Sequence, residues 1–521
     1  MNLTTEPWIP VVWDNGKPGV VTLADAFSRG HEIQDLTVRP HERIALMRLL
    51  ICITQAALDG PSDYDDWKTC RPRIVPSALD YLKSWQHAFE LFGTGPRFLQ
   101  IGGLKKPAKT ADGDEEGNAA SKLDVALATG NNSTLFDNAG GSERSFTPAQ
   151  LALNLLSFQC FSPGGTIGVA LWSDVPTLGW TAYPKPKPGQ SKHAPCIAGG
   201  MLHALLRGEH LLDTIHRNLM TKRQAEQFFG KEAWGKAQWE LPPQGPANEP
   251  AVRNATRTYL GRLVPLSRAI SLADDGRSLL LANGLEYAAY PEWREPTATL
   301  VTRTVKGQPA RMLLPASLQK AVWRELHALT VKAVSQNTNG GPAALQNVAD
   351  EQAFELWVGG LVTNKAKLVD TTASVFHIPA AMLTEPSQRT YEQGVILAEA
   401  TELRLRKAVS AYHRELGDNL DRAEMREQRQ RVQSKATFQF WTDVERCVSD
   451  LLAVAEEPAL LGLEKSWHKT DWGRAVLRAA FAAFDRACPH ETARQIRAYA
   501  LGRKALFAAP TQQQAEKETE S

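Results

Sequence analysis

The chain has 521 residues, of which 43% are hydrophobic and 22% are charged, the balance of an ordinary globular protein. Because single hydrophobic cores stop growing near roughly 250–300 residues, we expect two domains or more. The 59 Lys and Arg residues nearly balance 57 Asp and Glu, and the net charge of +2 excludes nucleic-acid binding through a global basic field.

The cysteines and the N-terminus exclude further classes. The six cysteines contain no CxxC pair and lack neighbouring His-x₃₋₅-His partners, so we expect no disulfide framework, no metal site and no cofactor. They are Cys52, Cys70, Cys160, Cys196, Cys447 and Cys488. The N-terminus lacks a signal peptide, and the chain has no run of 18 apolar residues, which predicts a cytoplasmic protein with no membrane partner.

The first half of the chain predicts mixed α and β structure. Two β-rich runs, Trp8–Trp13 and Val20–Leu23, flank an Asn-Gly turn and indicate a hairpin. The apolar run Ile44–Leu58, which ends at an Asp-Gly-Pro stop, predicts a buried helix. Residues 102–141 are polar and rich in glycine, so we expect long exposed loops there. Short β-type runs between Leu263 and Val305 indicate further hairpins.

Beyond Pro386 the composition becomes helical. Ala, Leu, Arg, Glu and Gln dominate, and apolar residues recur at intervals of three and four. Four segments, at about residues 388–416, 420–453, 470–487 and 490–507, predict an antiparallel helix bundle. The predicted fold class is therefore α+β, with a mixed α/β domain at 1–375, a four-helix bundle at 376–510 and a disordered tail at 511–521.

Several short segments occur in a consistent order. They are Asn2-Leu3 with Trp8-Ile9-Pro10-Val11, the Ile44–Leu58 helix, Gly95-Pro96-Arg97-Phe98-Leu99-Gln100, Ser162-Pro163-Gly164-Gly165, and Gly359-Gly360 with Asn364-Lys365. Together they resemble the CasA family, the large subunit of the type I-E CRISPR Cascade surveillance complex. The resemblance implies a non-catalytic subunit that recognises the protospacer-adjacent motif (PAM) in double-stranded DNA from the minor-groove side and aids duplex opening and R-loop formation. The implied partners are the other Cascade subunits, the CRISPR RNA, the target DNA and a nuclease-helicase that docks on this subunit.

The family's PAM-reading elements each have a counterpart here by resemblance. Gly164 and Gly165 match the glycine loop, whose bare backbone approaches base edges, and the alternative is a plain turn after a helix. Arg277 falls at the family's basic hairpin position, although a lone arginine near a turn is ordinarily a solvated surface residue. Asn364 and Lys365 fall on the third loop. The family commonly has glutamine where Lys365 stands, which puts the PAM preference in doubt.

Two further regions have an implied role. The segment Leu135-Phe136-Asp137-Asn138 looks like the family's long loop that meets the guide RNA and neighbouring subunits, and the alternative is that this chain itself covers the Leu-Phe pair. Residues 401–435 hold nine Lys and Arg against six Asp and Glu. The mixture of signs favours a solvated face with salt bridges. The alternative is a basic stripe, including Arg404, Arg406, Lys407 and Arg426, that contacts the phosphates of displaced DNA.

Catalytic motifs are missing from the sequence. It contains no GxxxxGK[ST] loop, HExxH helix, GxSxG elbow or His-Asp dipeptide, so we expect no enzymatic activity. The alternative function is a scaffold subunit that joins complex components without reading DNA, which composition does not exclude.

Overall fold

The structure, a computed structural model, describes residues 1–106, 117–126, 145–162, 168–178, 197, 200–287, 294–305, 307–364, 367–416, 423–461 and 466–507. Within them the strands are Ile9–Trp13 (β1), Pro18–Val21 (β2), Ile33–Leu36 (β3), Asn118–Ala119 (β4), Leu171–Trp172 (β5), Val175–Pro176 (β6), Leu202–Arg207 (β7), Arg268–Leu272 (β8), Ser278–Asn283 (β9), Leu300–Val305 (β10), Gln308–Leu313 (β11), Phe354–Asn364 (β12) and Lys367–Ile378 (β13).

The α-helices of the described residues alternate with these strands and then dominate the C-terminal third. They are Leu23–Ser28 (α1), Pro40–Leu58 (α2), Tyr64–Thr69 (α3), Arg71–Ser84 (α4), Pro148–Phe161 (α5), Leu211–Arg217 (α6), Lys222–Phe229 (α7), Glu249–Arg257 (α8), Tyr259–Leu263 (α9), Leu326–Leu329 (α10), Glu385–Glu415 (α11), Ala423–Glu445 (α12), Val448–Glu456 (α13), Asp471–Ala487 (α14) and Ala493–Phe507 (α15). Short 3-10 helices occur at Gln86–Phe89, Ala120–Leu123, Gln238–Glu240, Val322–Glu325, Ala343–Asn347, Ala380–Leu383, Pro458–Leu461 and Trp467–Lys469.

The strands form small antiparallel sheets. Three sheets have the strand orders β2-β1-β3, β4-β9-β8 and β13-β12-β7, and β10-β11 and β5-β6 are two-stranded hairpins. The predicted N-terminal hairpin is confirmed as β1 and β2, with Gly16 in the turn at φ +76°, a conformation that favours glycine. The predicted region of long loops contains β4, which the sequence did not indicate.

The predicted buried helix is confirmed as α2. Pro40 lies in its first turn, where a missing N–H costs nothing, and Asp59 ends it in the left-handed region at φ 44°. The side chains from Ile44 to Gln55 are all buried. This helix runs through a first hydrophobic core, which also takes in α5 and the sheet β4-β9-β8.

A second hydrophobic core joins the sheet β13-β12-β7 to the helices α11 to α15. The C-terminal helical region is thus as predicted, but the predicted helix at about 420–453 is two helices, α12 and α13, separated at Arg446 and Cys447. α13 packs closely on α11 at Gly394, where an added Cβ would lie 2.2 Å from Leu451 Cδ1. None of the described helices combines the length and hydrophobicity needed to span a membrane.

Candidate nucleic-acid interface

Arg277 ends the turn of the β8–β9 hairpin, as the sequence predicts. Strands β8 and β9 pair from Arg268 opposite Asn283 to Leu272 opposite Leu279. Gly276 turns the chain at φ +68°, and the Asp275 carboxylate accepts a hydrogen bond from the Arg277 N–H at 2.9 Å. The Arg277 side chain is exposed. It is therefore held on a rigid support and is open to a ligand.

Three other segments meet strand β9 along its length. An added Cβ at Gly117 would lie 2.7 Å from the carbonyl oxygen of Leu279, and one at Gly168 would lie 3.5 Å from that of Leu281. Farther along, the Asn283 side-chain amide donates to the carbonyl of Leu178 at 2.5 Å. These contacts bring the flanks of residues 107–116, 163–167 and 179–196 to one sheet strand.

The C-terminal end of α5 joins two sheets just before the glycine pair. Ser162 Oγ accepts a hydrogen bond from Arg268 Nε at 2.7 Å, which fixes the helix end to β8. The ring of Phe161 packs edge-on against His203 of β7, with ring centroids 6.2 Å apart, and His203 lies opposite Gly359 of β12. Gly164 and Gly165 themselves lie outside the described residues, but the helix that leads to them touches both sheets.

The same helix end is linked to the tip of the β12–β13 hairpin. The N–H of Ile197 donates to the carbonyl of Cys160 at 2.9 Å. Three residues later, an added Cβ at Gly200 would lie 2.6 Å from Thr363 Oγ1 in β12. Three residue steps span at most about 11 Å, so Thr363 is close to the end of α5.

Lys365, the residue that follows Asn364 in the sequence, lies outside the described residues. The last described backbone pair is Asn364 opposite Lys367. Arg277, in contrast, is at the far end of the other hairpin, because β8 extends about 13 Å from Arg268 to Leu272. The described residues thus bring the flank before Gly164-Gly165 and the flank before Lys365 near each other, whereas Arg277 lies at the other end of β8.

The β10–β11 hairpin extends beyond the region predicted to form hairpins, which ended at Val305, so β11 was not predicted. Its base contacts the same region, since Leu202 N–H donates to Leu314 O at 2.9 Å and Ala316 N–H donates to Gly200 O at 2.8 Å. Arg311 is exposed and donates to the Asn337 carbonyl at 2.9 Å. Residues 296–324 contain five Lys and Arg and no Asp or Glu, a local basic run that would have revealed this element from sequence.

The predicted guide-proximal residues Leu135, Phe136, Asp137 and Asn138 lie outside the described residues. The flank that precedes their segment is held at Asp124. Arg39 Nη1 binds both carboxylate oxygens of Asp124, at 2.9 and 3.1 Å, and Arg39 Nη2 binds Glu42 at 2.6 Å. Burial alone would lower the pKa of Arg39, but these two carboxylates raise it.

A cavity of about 680 Å³ opens beside this arginine. Its walls come from both flanks of the 127–144 segment and from α2, and they are Pro10, Thr37, Val38, Arg39, Glu42, Asp124, Phe146, Gln150, Leu153 and Asn154. Asp124 and Phe146, which flank the segment in the sequence, therefore line the same cavity.

The four candidate cations of the bundle lie on two neighbouring helices. Arg404, Arg406 and Lys407 are on α11 and Arg426 is on α12. Arg406 forms an ion pair with Glu402 at 2.5 Å, four residues earlier. Arg406, Lys407 and Arg426 are exposed. The pairing of Arg406 agrees with the solvated-face interpretation of this charge run.

The described residues do not form a metal site: nowhere among them do three His, Cys, Asp or Glu side chains gather as potential ligands.

A protein-family model matches most of the chain. The model of the CRISPR-associated protein Cse1 matches residues 2–483. The chain belongs to the Cse1 family. It is 27% identical over 425 residues to the CRISPR-associated protein CasA/Cse1 of Thermus thermophilus. The match covers 76% of this chain and 75% of that relative. The resemblance to the CasA family is therefore confirmed.

Solved Cse1-type structures have the same fold. The crystal structure of CasA from Thermus thermophilus matches with a TM-score of 0.71 and 22% identity, covering 97% of this chain and 98% of that chain. A chain of a CRISPR RNA-guided surveillance complex matches with a TM-score of 0.66 and 19% identity, covering 98% and 99%. The α+β fold with a helical C-terminal region is thus that of the Cse1 family.

Proposed function

We propose that this chain is a non-catalytic subunit of a CRISPR RNA-guided surveillance complex that reads the PAM of duplex DNA from the minor-groove side. Membership of the Cse1 family supports the proposal that the chain works within such a complex, because a chain of the same fold belongs to a CRISPR RNA-guided surveillance complex. The observation that carries the proposal is the α5 end, beside Gly164-Gly165. It contacts β8 of one candidate hairpin and β7, the strand that pairs with β12 of the other.

Each element would make a different groove contact. Gly164 and Gly165 would let the backbone approach base edges, since no side chain intervenes. Arg277 is exposed and would place its guanidinium in the negative potential of a narrow minor groove. Lys365, beside Asn364, donates but does not accept, so it suits the N3 and O2 acceptors of the groove floor. The exposed Arg311 would add a phosphate contact beside them.

Other regions would serve assembly and duplex opening. Leu135, Phe136, Asp137 and Asn138 would contact the guide RNA or a neighbouring subunit. Arg39 fixes the flank that precedes them, at Asp124. Arg404, Arg406, Lys407 and Arg426 would contact the displaced DNA strand through its phosphates. The nuclease-helicase would dock on this subunit, and cleavage would be the partner's chemistry.

The DNA-reading proposal is tested by gel shift at fixed salt. The assembled complex, with and without this chain, is compared on duplexes with and without a PAM. We expect Arg277→Ala and Lys365→Ala to weaken binding of the PAM duplex by about 1–3 kcal/mol each, the size of one groove contact. Arg223→Ala, which removes an exposed arginine of α7, is the matched control. Equal binding in all four cases would favour the scaffold function instead.

The assembly role is tested separately through Phe136. We expect Phe136→Ala to reduce co-purification of this chain with the rest of the complex, because an aromatic contact at an interface is lost. Phe438→Ala is the matched control, since Phe438 is 73% exposed on the bundle. If both variants co-purify as the wild type does, Phe136 makes no contact with the complex.

A further inference from the structure

The edge of strand β13 differs from the opposite edge of its sheet. In the order β13-β12-β7, both outer strands have one side without a neighbouring strand of the same sheet. The outer side of β7 is nevertheless satisfied. Leu202 N–H donates to Leu314 O, Ala204 N–H donates to Thr297 O, and Leu206 N–H donates to Asn218 Oδ1, at 2.8 to 3.0 Å.

These bonds fix which backbone groups of the sheet point outwards. In a strand, successive residues direct their N–H and C=O to opposite sides. Because the backbone groups of Leu202, Ala204 and Leu206 point away from β12, those of His203 and Leu205 bond to β12. Their partners there are the odd-numbered residues Gly359 and Trp357. The even-numbered residues of β12, such as Leu356 and Val358, therefore bond to β13 on the other side.

The same alternation assigns β13. Leu356 lies opposite Phe376, and Val358 lies opposite Ser374, so these two residues point inwards. Ala373, Val375 and His377 consequently direct their N–H and C=O groups outwards, away from β12. Between Ala373 and His377 the edge thus presents six strong hydrogen-bonding groups.

None of these six groups has a hydrogen-bond partner among the residues that the structure describes. All three residues are exposed, and Val375 is 48% exposed. The next outward residue, Thr371, shows the contrast, because its N–H is bonded to the carboxylate of Asp370 at 2.7 Å. The open stretch is therefore bounded by Asp370 on one side and by the end of the strand at Ile378 on the other.

We propose that this edge, from Ala373 to His377, accepts an extended segment of a partner protein as a fourth strand of the sheet. The inference rests on the proposed function, in which the chain works within a complex of several proteins. Exposed edges are usually blocked by Lys, Pro or a bulge, and none of these occurs between Ala373 and His377. The added strand would form hydrogen bonds with the six outward backbone groups. The fit between its side chains and those of the edge would select the partner.

The chemistry of the edge favours one occupant. Ala373 and Val375 are uncharged and apolar, so the edge does not suit a nucleic-acid backbone. A second copy of this chain would pair over only about 17 Å of strand, and the area buried there, on the order of a few hundred Å², is below the roughly 1,200 Å² of a stable interface. A segment already anchored elsewhere in a complex has no such requirement, because its local concentration is high.

The occupant's sequence is constrained by the same geometry. About five residues in extended conformation would match the open stretch. The positions that bond to Val375 need a free N–H, which excludes proline there. A β-branched or aromatic residue opposite Val375 would cover its exposed side chain, as cross-strand pairs do.

Residue-resolved hydrogen exchange tests the proposal on the isolated chain and on the assembled complex. In the isolated chain, the amides of Ser374 and Phe376 should exchange slowly and those of Val375 and His377 quickly. On assembly, the amides of Val375 and His377 should slow by about tenfold or more. Fast exchange at both residues in the assembled complex would overturn the proposal.

Two pairs of variants locate the effect. Val375→Pro removes an outward N–H and should preserve the thermal midpoint while lowering incorporation into the complex by about tenfold, whereas Ser374→Pro removes an inward N–H and should lower the midpoint itself. Val375→Lys should reduce incorporation without unfolding, and Val334→Lys, at another exposed valine, should not. Normal incorporation of both Val375 variants would contradict the proposal.

The remaining outcomes separate the two proposals. If the wild-type chain does not enter the complex, the proposed function and the edge proposal both fail. If it enters and the edge stays unprotected, only the edge proposal fails. Protection in the isolated chain that rises with concentration, together with a dimer mass, would assign the edge to a second copy and overturn the partner segment.

Discussion

At the scale of single residues, a buried ion cluster holds the α/β part together. Glu295 Oε2 accepts a hydrogen bond from Arg48 Nη1 at 2.6 Å, and Glu295 Oε1 lies 3.4 Å from Arg262 Nη2. Burial alone would raise the pKa of Glu295. The two arginine charges and the hydrogen bond outweigh burial and hold the pKa below its ordinary value of 4.5. The cluster joins α2 to two later segments of the chain.

We expect Glu295→Gln to lower the free energy of unfolding by about 3–5 kcal/mol at pH 7, because two buried arginines lose their counter-charge. A carboxyl with a lowered folded pKa stabilises the fold above its unfolded pKa and loses this contribution as pH falls through the folded value. The difference in the free energy of unfolding between wild type and variant should therefore become smaller below about pH 4.5. Urea unfolding at pH 7 and pH 4 measures it.

The exposed Glu427, which pairs with Arg431 on the surface of α12, provides the control for this charge effect. Glu427→Gln should change stability little, since surface pairs are screened by water. Comparable losses for both glutamines would mean that burial of Glu295 does not set its contribution.

At the scale of elements, local sequence patterns predict helices better than they predict helix breaks. The spacing of Trp441, Val444, Val448 and Leu451 continues across the break between α12 and α13, so periodicity alone predicts one helix. After the break, α13 packs Leu451 against Gly394 of α11, a tertiary contact that periodicity does not encode. Likewise, β4 has only two residues and exists through its pairing with β9, a contact that no local pattern encodes.

We expect Gly394→Ala to destabilise the protein by about 1–3 kcal/mol. The new methyl group would overlap Leu451 Cδ1, and because Leu451 is fully buried its side chain has little room to move away. The direction of the stability change distinguishes the two effects. Without the overlap, alanine would stabilise a helix interior relative to glycine by up to about 1 kcal/mol. Thermal unfolding measures the effect. Gly245→Ala is the control, as an added Cβ at Gly245 meets no atom within 4 Å. A stabilised Gly394→Ala protein would show that α11 and α13 are not closely packed there.

The candidate site, like the fold, could be predicted from the sequence only in part. The turn residues Asp274, Asp275 and Gly276 place Arg277 at a hairpin end from sequence alone, and the hairpin is confirmed. The contact between Ser162 and Arg268 spans 106 positions, and the ion pair between Arg48 and Glu295 spans 247. Such long-range pairs depend on how the elements pack, so a single sequence gives no pattern from which to predict them.

At the scale of the whole molecule, the two compositional halves share a core. Residue 375, the predicted boundary, lies within β13, and the second core contains side chains from both sides of it. The ring of Trp323 lies 5.9 Å from those of Trp441 and Trp472, and its carbonyl accepts a hydrogen bond from Tyr391 at 2.8 Å. We therefore expect the α/β part and the helical C-terminal part to unfold as one cooperative unit.

Removal of the Trp323 side chain tests this cooperativity. We expect Trp323→Ala to cost about 3–5 kcal/mol, the usual loss for a buried tryptophan. If the two parts unfold together, amides in β12 and in α14 should both exchange faster by the same factor, about 100-fold or more, because every 1.4 kcal/mol is a factor of ten. Leu460→Ala, at a residue 51% exposed, should leave both sets unchanged. Faster exchange in α14 alone would mean that the bundle unfolds independently, and that the interface around Trp323 joins two separately stable domains.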